Sequence, residues 1–197
     1  MNYLINSYHP IIENFTVLKT KPNIHWNDVR TLNLFSVIGA RLAKQDIPVI
    51  GGVFNEKIGL NTPIYNGANN DCLALGAGVL LDHEHMGIGN YVLAGHNLHG
   101  KSDALFSPLY YKASPNTIIN ITDFKKVYQY QIYKKQVIKP DNLSILQQTA
   151  TPKLTLITCN NDDSKRLVLT AKLVKIIPYE KLSAHTKKFL AQKYVFK

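Results

Sequence analysis

The sequence predicts an all-β barrel with minor helix, and three observations predict it. About seven or eight short segments alternate in side-chain character at regular spacing, separated by Gly, Pro and Asn turns. Little helical periodicity interrupts them after residue 47. The chain has 197 residues, 45% apolar and 18% charged, which suits one core-bearing domain with an appendage rather than two domains or a disordered chain. It divides into an N-terminal arm and helix (1–46), a barrel (47–178) and a basic C-terminal tail (179–197).

Taken in order, residues 1–25 show no strong period, and Pro10 and Pro22 mark extended or irregular backbone. Asn27-Asp28 then offers a helix start. Val29, Leu32, Phe35, Val37, Ile38 and Leu42 recur at helical spacing, so an amphipathic helix of about four turns should end near Gln45-Asp46, before Pro48. Short strands follow. Val49-Ile50 runs into Gly51-Gly52, then come strands over 53–60 and 61–65, a loop over 67–71 and an apolar run over 73–81. Residues 90–95 form a strand that arrives at His96. After a loop through Pro108, residues 117–122 and 126–138 alternate as strands. Pro140 opens a loop, residues 153–159 alternate again and end on Cys159, and a last strand covers 166–177. The tail carries Lys181, Lys187, Lys188, Lys193 and Lys197, with Leu182, Phe189 and Leu190 as an apolar stripe. It reads as a helix packed on the barrel, the sharper alternative being a basic face held near an anionic membrane.

With 23 basic and 13 acidic residues the net charge is +10, which favours anionic surroundings such as nucleic acid, a membrane face or a wall polymer. No zinc finger, RNP-type aromatic motif or helix-turn-helix pattern accompanies that charge, so nucleic-acid binding is not expected. Neither CxxC nor HExxH occurs, leaving a metal site without support. Two cysteines, Cys72 and Cys159, are too few for a disulfide framework. No window reaches the roughly 18–20 apolar residues of a membrane span. Glu13 and neighbouring polar residues make the first fifteen or so unlike a signal peptide.

Three residues at strand ends have complementary chemistry: His96, Cys159 and Arg166. A free thiol, with a pKa of about 8.5, is a poor nucleophile until a base or cation raises its thiolate fraction. An imidazole can take the thiol proton and later deliver it to a leaving amine. Arginine stays cationic and can hold a carbonyl or a developing oxyanion in its fixed fork. Together they make the minimum set for acyl transfer through a thioester. The polar turn over 160–165 suits a hairpin that brings Arg166 back beside Cys159. Each residue also has a structural reading on its own: a small apolar strand end, a strand cap and a surface cation.

Their neighbourhoods decide between the two. Gly89-Asn-Tyr-Val-Leu-Ala-Gly-His-Asn97, followed by Leu105-Phe-Ser-Pro-Leu109, resembles the histidine region of sortases, especially class A. Thr155-Leu-Ile-Thr-Cys159 is similar to that family's Thr-Leu-x-Thr-Cys signature, with Arg166 where its arginine follows. Asn61-Thr-Pro-Ile-Tyr65 is similar to the family's Asn-Leu-Pro-Ile-Phe. The resemblance runs from about Ile47 to Val174.

It implies a closed eight-stranded β-barrel and a cysteine transpeptidase that cleaves a Leu-Pro-x-Thr-Gly (LPxTG) sorting signal between Thr and Gly. It further implies Cys159 as nucleophile, His96 as acid and base, and Arg166 as the carbonyl and oxyanion holder. Ala94, Thr155, Ile157 and Thr158 are expected along the peptide groove, and Ile145 and Leu146 in a flexible wall that receives the leucine and proline. The expected partners are LPxTG-bearing surface proteins and the amine of a lipid II-type peptidoglycan precursor. The expected place is the extracytoplasmic face of a Gram-positive membrane, through an anchor that this chain does not show. Calcium, used by some class A members, is not expected, because Asp71 and Asp141 offer too few oxygen donors. The family carries no structural disulfide, so Cys72 is expected as a free buried thiol. A hydrolytic cysteine peptidase and a non-catalytic barrel binding peptides or wall polymers are the alternatives.

Overall fold

The computed structural model of the chain describes residues 9–12, 48–99 and 103–196, so the helix expected between Asn27 and Asp46 lies outside the described residues. The strands are β1 (Ile11–Ile12), β2 (Val49–Asn55), β3 (Leu60–Tyr65), β4 (Ala77–Val79), β5 (Asn90–Gly95), β6 (Ile118–Thr122), β7 (Lys126–Ile138), β8 (Lys153–Cys159), β9 (Arg166–Pro178) and β10 (Val195–Phe196). Three short helices punctuate them: α1 (Asn70–Leu75), α2 (Ser107–Tyr111) and α3 (Ala184–Ala191). Strands β2 to β9 close into a barrel in the order β2-β3-β4-β5-β8-β9-β7-β6, while β1 and β10 form a separate parallel pair. Closure leaves the barrel no unpaired edge strand, which removes a site for edge-to-edge association.

Alternation sorts the side chains. In β5 and β8, Tyr91, Leu93, Leu154 and Leu156 point inward and join Val53, Leu60, Ile119, Ile121, Tyr130 and Leu169 in the main core. Each such buried side chain contributes about 1.5–3 kcal/mol over its exposed state. The opposite faces of the same strands carry Val92, Ala94 and Ile157, which form a second apolar cluster with Leu80 and Val168 on the outside of the barrel.

Two sequence expectations need correction. Residues 53–60 are not one strand. Asn55 accepts a hydrogen bond from Ile58 N (3.1 Å), caps a 3₁₀ turn over Glu56–Ile58, and Gly59 (φ 74°) returns the chain into β3. The loop expected over 67–71 and the apolar run over 73–81 resolve into a helix and a short strand. The Asn69 side chain accepts from Cys72 N (2.8 Å), starting α1, so that β4 shrinks to Ala77–Val79. In both cases an asparagine cap outweighed the apolar pattern.

The tail packs on the barrel. Ser183 caps α3 by accepting from Thr186 N (3.0 Å). Leu190 and Tyr194 are buried against Phe54, Val127 and Ile12, with Leu182, Phe189 and Ile177 partly buried beside them. Among the described residues no helix is long and apolar enough to cross a membrane.

Candidate active site

Strand β5 is buried along its whole length, which makes it a rigid rail ending at His96. It pairs in parallel with β8, Ala94 opposite Ile157. Continuing that register by two residues on each strand brings His96 level with Cys159. Asn97 supports this arrangement, because its Nδ2 donates to the Cys159 carbonyl (3.3 Å). On the other side of β8, Cys159 and Arg166 are direct antiparallel partners across the hairpin. The three residues expected to act together therefore stand at one end of three adjacent strands, β5, β8 and β9. Gly95 is needed at the turn out of β5, because a Cβ there would lie 2.7 Å from the buried Phe106 ring. The Phe106 amide in turn donates to the His96 carbonyl (3.0 Å), fixing the backbone at the imidazole.

Electrostatics set the protonation states. Burial lowers the His96 imidazole to about 4, against an upward pull from Asp163. Burial raises the Cys159 thiol; the Arg166 guanidinium counters this, and Asp163 adds to it by charge and by a side-chain hydrogen bond. At neutral pH the imidazole is thus neutral and the thiol protonated, so the imidazole's first available act is to accept a proton. Arg166 spends Nη1 on the carbonyls of Asp163 and Lys165, both at 3.1 Å, and the rest of the fork has no partner among the described residues. Cys72, by contrast, is buried and pushed up to about 12 by burial and by Asp71, an inert thiol with no disulfide.

Of the expected groove residues, Ala94 and Ile157 sit in the outer apolar cluster, with Ile145 and Leu146 packed against it from the loop after β7. That loop folds into a 3₁₀ turn over Leu143–Leu146 and is tied down by Asn90, whose Nδ2 donates to the carbonyls of Ile145 (2.9 Å) and Gln147 (3.0 Å). Thr155 donates from Oγ1 to Asn90 Oδ1 (2.7 Å), so it holds the wall's anchor in place. Thr158 does not join the groove. It alternates to the barrel interior with Leu154 and Leu156, and its Oγ1 is buried without a partner.

Sequence reasoning missed several residues. Asp163 was read only as part of a polar turn, yet its φ of 59° turns it back toward Cys159 and sets Oδ1 3.6 Å from His99 Nε2. The readable signal was an aspartate in a tight turn, the kind of residue that tolerates left-handed backbone. Asn161 accepts from Tyr111 OH (2.8 Å) and from Asn97 Nδ2 (3.3 Å), linking the cysteine loop to the histidine loop. Glu84 accepts from Val92 N (2.9 Å), and burial raises its carboxyl to about 8. Asp82 and Glu84, in the loop before β5, add to the carboxylates weighed for calcium. Even so, no group of three or more His, Cys, Asp or Glu side chains converges among the described residues, and Glu84 already serves a backbone amide.

Known proteins resemble this chain in sequence and in fold. The Sortase domain family matches residues 55–174. Sortase A of Streptococcus agalactiae serotype III (strain NEM316) is 31% identical over 182 residues, spanning 89% of this chain and 73% of that protein. Sortase A of Listeria monocytogenes serovar 1/2a (strain ATCC BAA-679 / EGD-e) is 29% identical over 177 residues, 86% of this chain and 79% of that one. The crystal structure of Listeria monocytogenes sortase A superposes with a TM-score of 0.65 at 28% identity, covering 72% of this chain and 97% of that chain. A pilus-related sortase C of Group B Streptococcus gives 0.57 at 28% identity, covering 68% and 71%. A closed barrel with cysteine, histidine and arginine at one end, matched over most of its length by these relatives, belongs to the sortase family, and the chain is a cysteine transpeptidase of that family.

Proposed function

We propose that this sortase is class A-like and cleaves an LPxTG-type sorting signal between Thr and Gly, then joins the protein to the amine of a lipid II-type wall precursor. Sortases attach proteins to the Gram-positive cell wall; the signal and the acceptor amine are the finer reading. One observation carries it: Cys159 pairs directly with Arg166 on the strand whose other neighbour leads to His96.

In this reading Cys159 Sγ attacks the threonine carbonyl carbon while His96 takes the thiol proton. Arg166 meets the developing oxyanion with the nitrogens not bound to its own loop. The C–N bond to glycine breaks, and His96 returns the proton to the leaving amine. The acceptor amine then attacks the thioester, forming the new amide and releasing the thiol. Ala94, Ile157, Ile145 and Leu146 hold the signal's leucine and proline, and Thr155 acts through the wall loop. The chemistry proceeds without calcium; a several-fold rate gain on adding calcium overturns that. The relatives named sortase A support class A.

The test is an LPxTG reporter peptide incubated with and without a glycine-type amine. Amine-dependent ligation is the expected result. Release without ligation makes the protein a hydrolytic peptidase, and no cleavage makes it a peptide-binding barrel. Surface anchoring at the extracytoplasmic face is tested by locating the protein in fractionated cells.

A further inference from the structure

Strands β7, β8 and β9 together carry seven basic residues and no acidic one: three in β7, one in β8 and three in β9. Three of the seven are otherwise engaged or remote from the patch. Arg166 belongs to the catalytic end, Lys126 ends the ribbon next to Pro178, and Lys135 Nζ donates to the carbonyls of Leu109, Tyr110 and Ala113. The remaining four, Lys134, Lys153, Lys172 and Lys175, form no ion pair among the described residues.

Register places these four on one face. The outward rows of the sheet run from Cys159–Arg166–Ile138 through Ile157–Val168–Gln136 and Thr155–Thr170–Lys134 to Lys153–Lys172–Gln131, with Lys175–Gln129 beyond. Two bulges, at Tyr133 and at Val174, add an exposed aromatic and an exposed aliphatic side chain beside Lys134 and Lys175. The lysines thus continue the outward rows that begin at the thiol, with Ile157 and Val168 between them buried beneath Ile145 and Leu146. The face is bounded at the far end by Ile177 and Val127, which the C-terminal helix covers. The wall loop covers Thr155 on the β8 side, but Lys134, Lys172 and Lys175 remain exposed on the β7–β9 side.

We infer that this basic row is an extended subsite for acidic residues that precede the sorting signal in the substrate polypeptide. The inference deepens the proposed function and rests on its LPxTG reading. An extended peptide and a strand both rise about 3.3 Å per residue, so a chain lying along the sheet from the thiol keeps step with the rows beneath it. Lys134 and Thr170 stand four residues along β9 from Arg166, and Lys172 stands six. With threonine at the thiol and leucine three positions upstream, the first and third residues before the leucine fall level with Lys134 and Lys172, and the fifth with Lys175. Those positions call for Asp or Glu side chains, with an apolar or aromatic neighbour for Tyr133 and Val174. A peptide is favoured because the lysines share the outward face of β8 and β9 with the nucleophile.

The experiment compares two LPxTG reporter peptides that differ only in the five residues before leucine, Asp-Ser-Glu-Ser-Asp against Asn-Ser-Gln-Ser-Asn. The acidic peptide should have the lower KM, by about five-fold or more at low salt with kcat unchanged, and the gap should close as ionic strength rises. In a variant carrying Lys134→Gln, Lys172→Gln and Lys175→Gln, with its melting temperature checked, the acidic-to-neutral ratio should fall to about one. Equal KM values, or a preference that survives the triple substitution, overturn the proposal. So does a row that binds anionic vesicles in a lysine-dependent way while the two peptides behave alike. If neither peptide is cleaved, the proposed function fails separately. The inference is then read from fluorescence anisotropy of the two labelled peptides with Cys159→Ala, where equal affinity overturns it.

Discussion

Asp163 sits where it meets all three residues of the site, its carboxylate acting on the thiol and the imidazole and its backbone carbonyl on Arg166. It raises the Cys159 thiol, it opposes the lowering of His96, and its carbonyl takes one Arg166 donor. Replacing it with Asn removes the charge and keeps the shape. Because the charge raises the thiol, Asp163→Asn should shift the pH profile of Cys159 alkylation to lower pH; an unmoved or raised midpoint shows that the carboxylate does not act on the thiol. The same reagent should leave the buried Cys72 unlabelled in the native protein, and labelling of both cysteines at similar rates contradicts its burial. Cys159→Ala should abolish turnover, whereas His96→Ala and Arg166→Ala should each cut kcat/KM by about 10²-fold or more, since each removes a distinct transition-state role. Glu84 offers a stability test. Its carboxyl is raised from 4.5 to about 8, so the native state holds a proton that the unfolded state has lost. That contribution is present at low pH and is lost as pH rises through this window. Glu84→Gln should remove it, and thermal melts of the two proteins across the window should diverge progressively; parallel curves refute the assignment.

At the scale of elements, the wall loop depends on Asn90, the first residue of β5. It donates twice to loop carbonyls and accepts from Thr155. Asn90→Ala leaves those groups without partners at a cost of about 1–3 kcal/mol. The expected outcome is a higher KM for the signal peptide and faster proteolysis between Lys139 and Pro152, because the wall that packs on Ala94 and Ile157 is no longer tethered. Unchanged proteolysis shows that Ile145 and Leu146 alone hold it. The β8–β9 hairpin works differently. Its loop is organised internally, with Asn160 Oδ1 accepting from Lys165 N (2.9 Å) and Asp162 accepting from Ser164 N (2.9 Å). A loop already closed by its own side chains presents Arg166 and Asp163 at fixed places before any ligand arrives.

For the whole molecule, the barrel and its tail form one packed body. Leu190 is fully buried between the tail helix and the barrel beside Phe54 and Val127. Leu190→Ala should cost about 2–5 kcal/mol, measured by denaturant unfolding, as a cavity in the core of a domain does. A loss well below 1 kcal/mol shows that the tail is only loosely attached. The division into arm, barrel and tail read from composition thus has to accommodate a tail whose apolar stripe is shared with β2 and β7.

Strand periodicity, the terminal cysteine, the arginine beyond a short polar turn and the histidine after a small-residue strand could all be read along the chain, because each is a local pattern of side chains. Alternation alone put Ile157 and Cys159 on one face and Leu154 and Leu156 on the other. It could not say that the first face is the outer one, because inside and outside exist only once the sheet has closed. The meeting of β5 with β8 is likewise a long-range parallel pairing that no local signal encodes. Asparagine caps at Asn55 and Asn69 redirected segments whose apolar content suggested strands. The lysine row, without an ion pair among the described residues, and the carboxylate of Asp163 beside the thiol became visible only in three dimensions, since charge at a site is the sum over neighbours that the chain brings together from distant strands and loops.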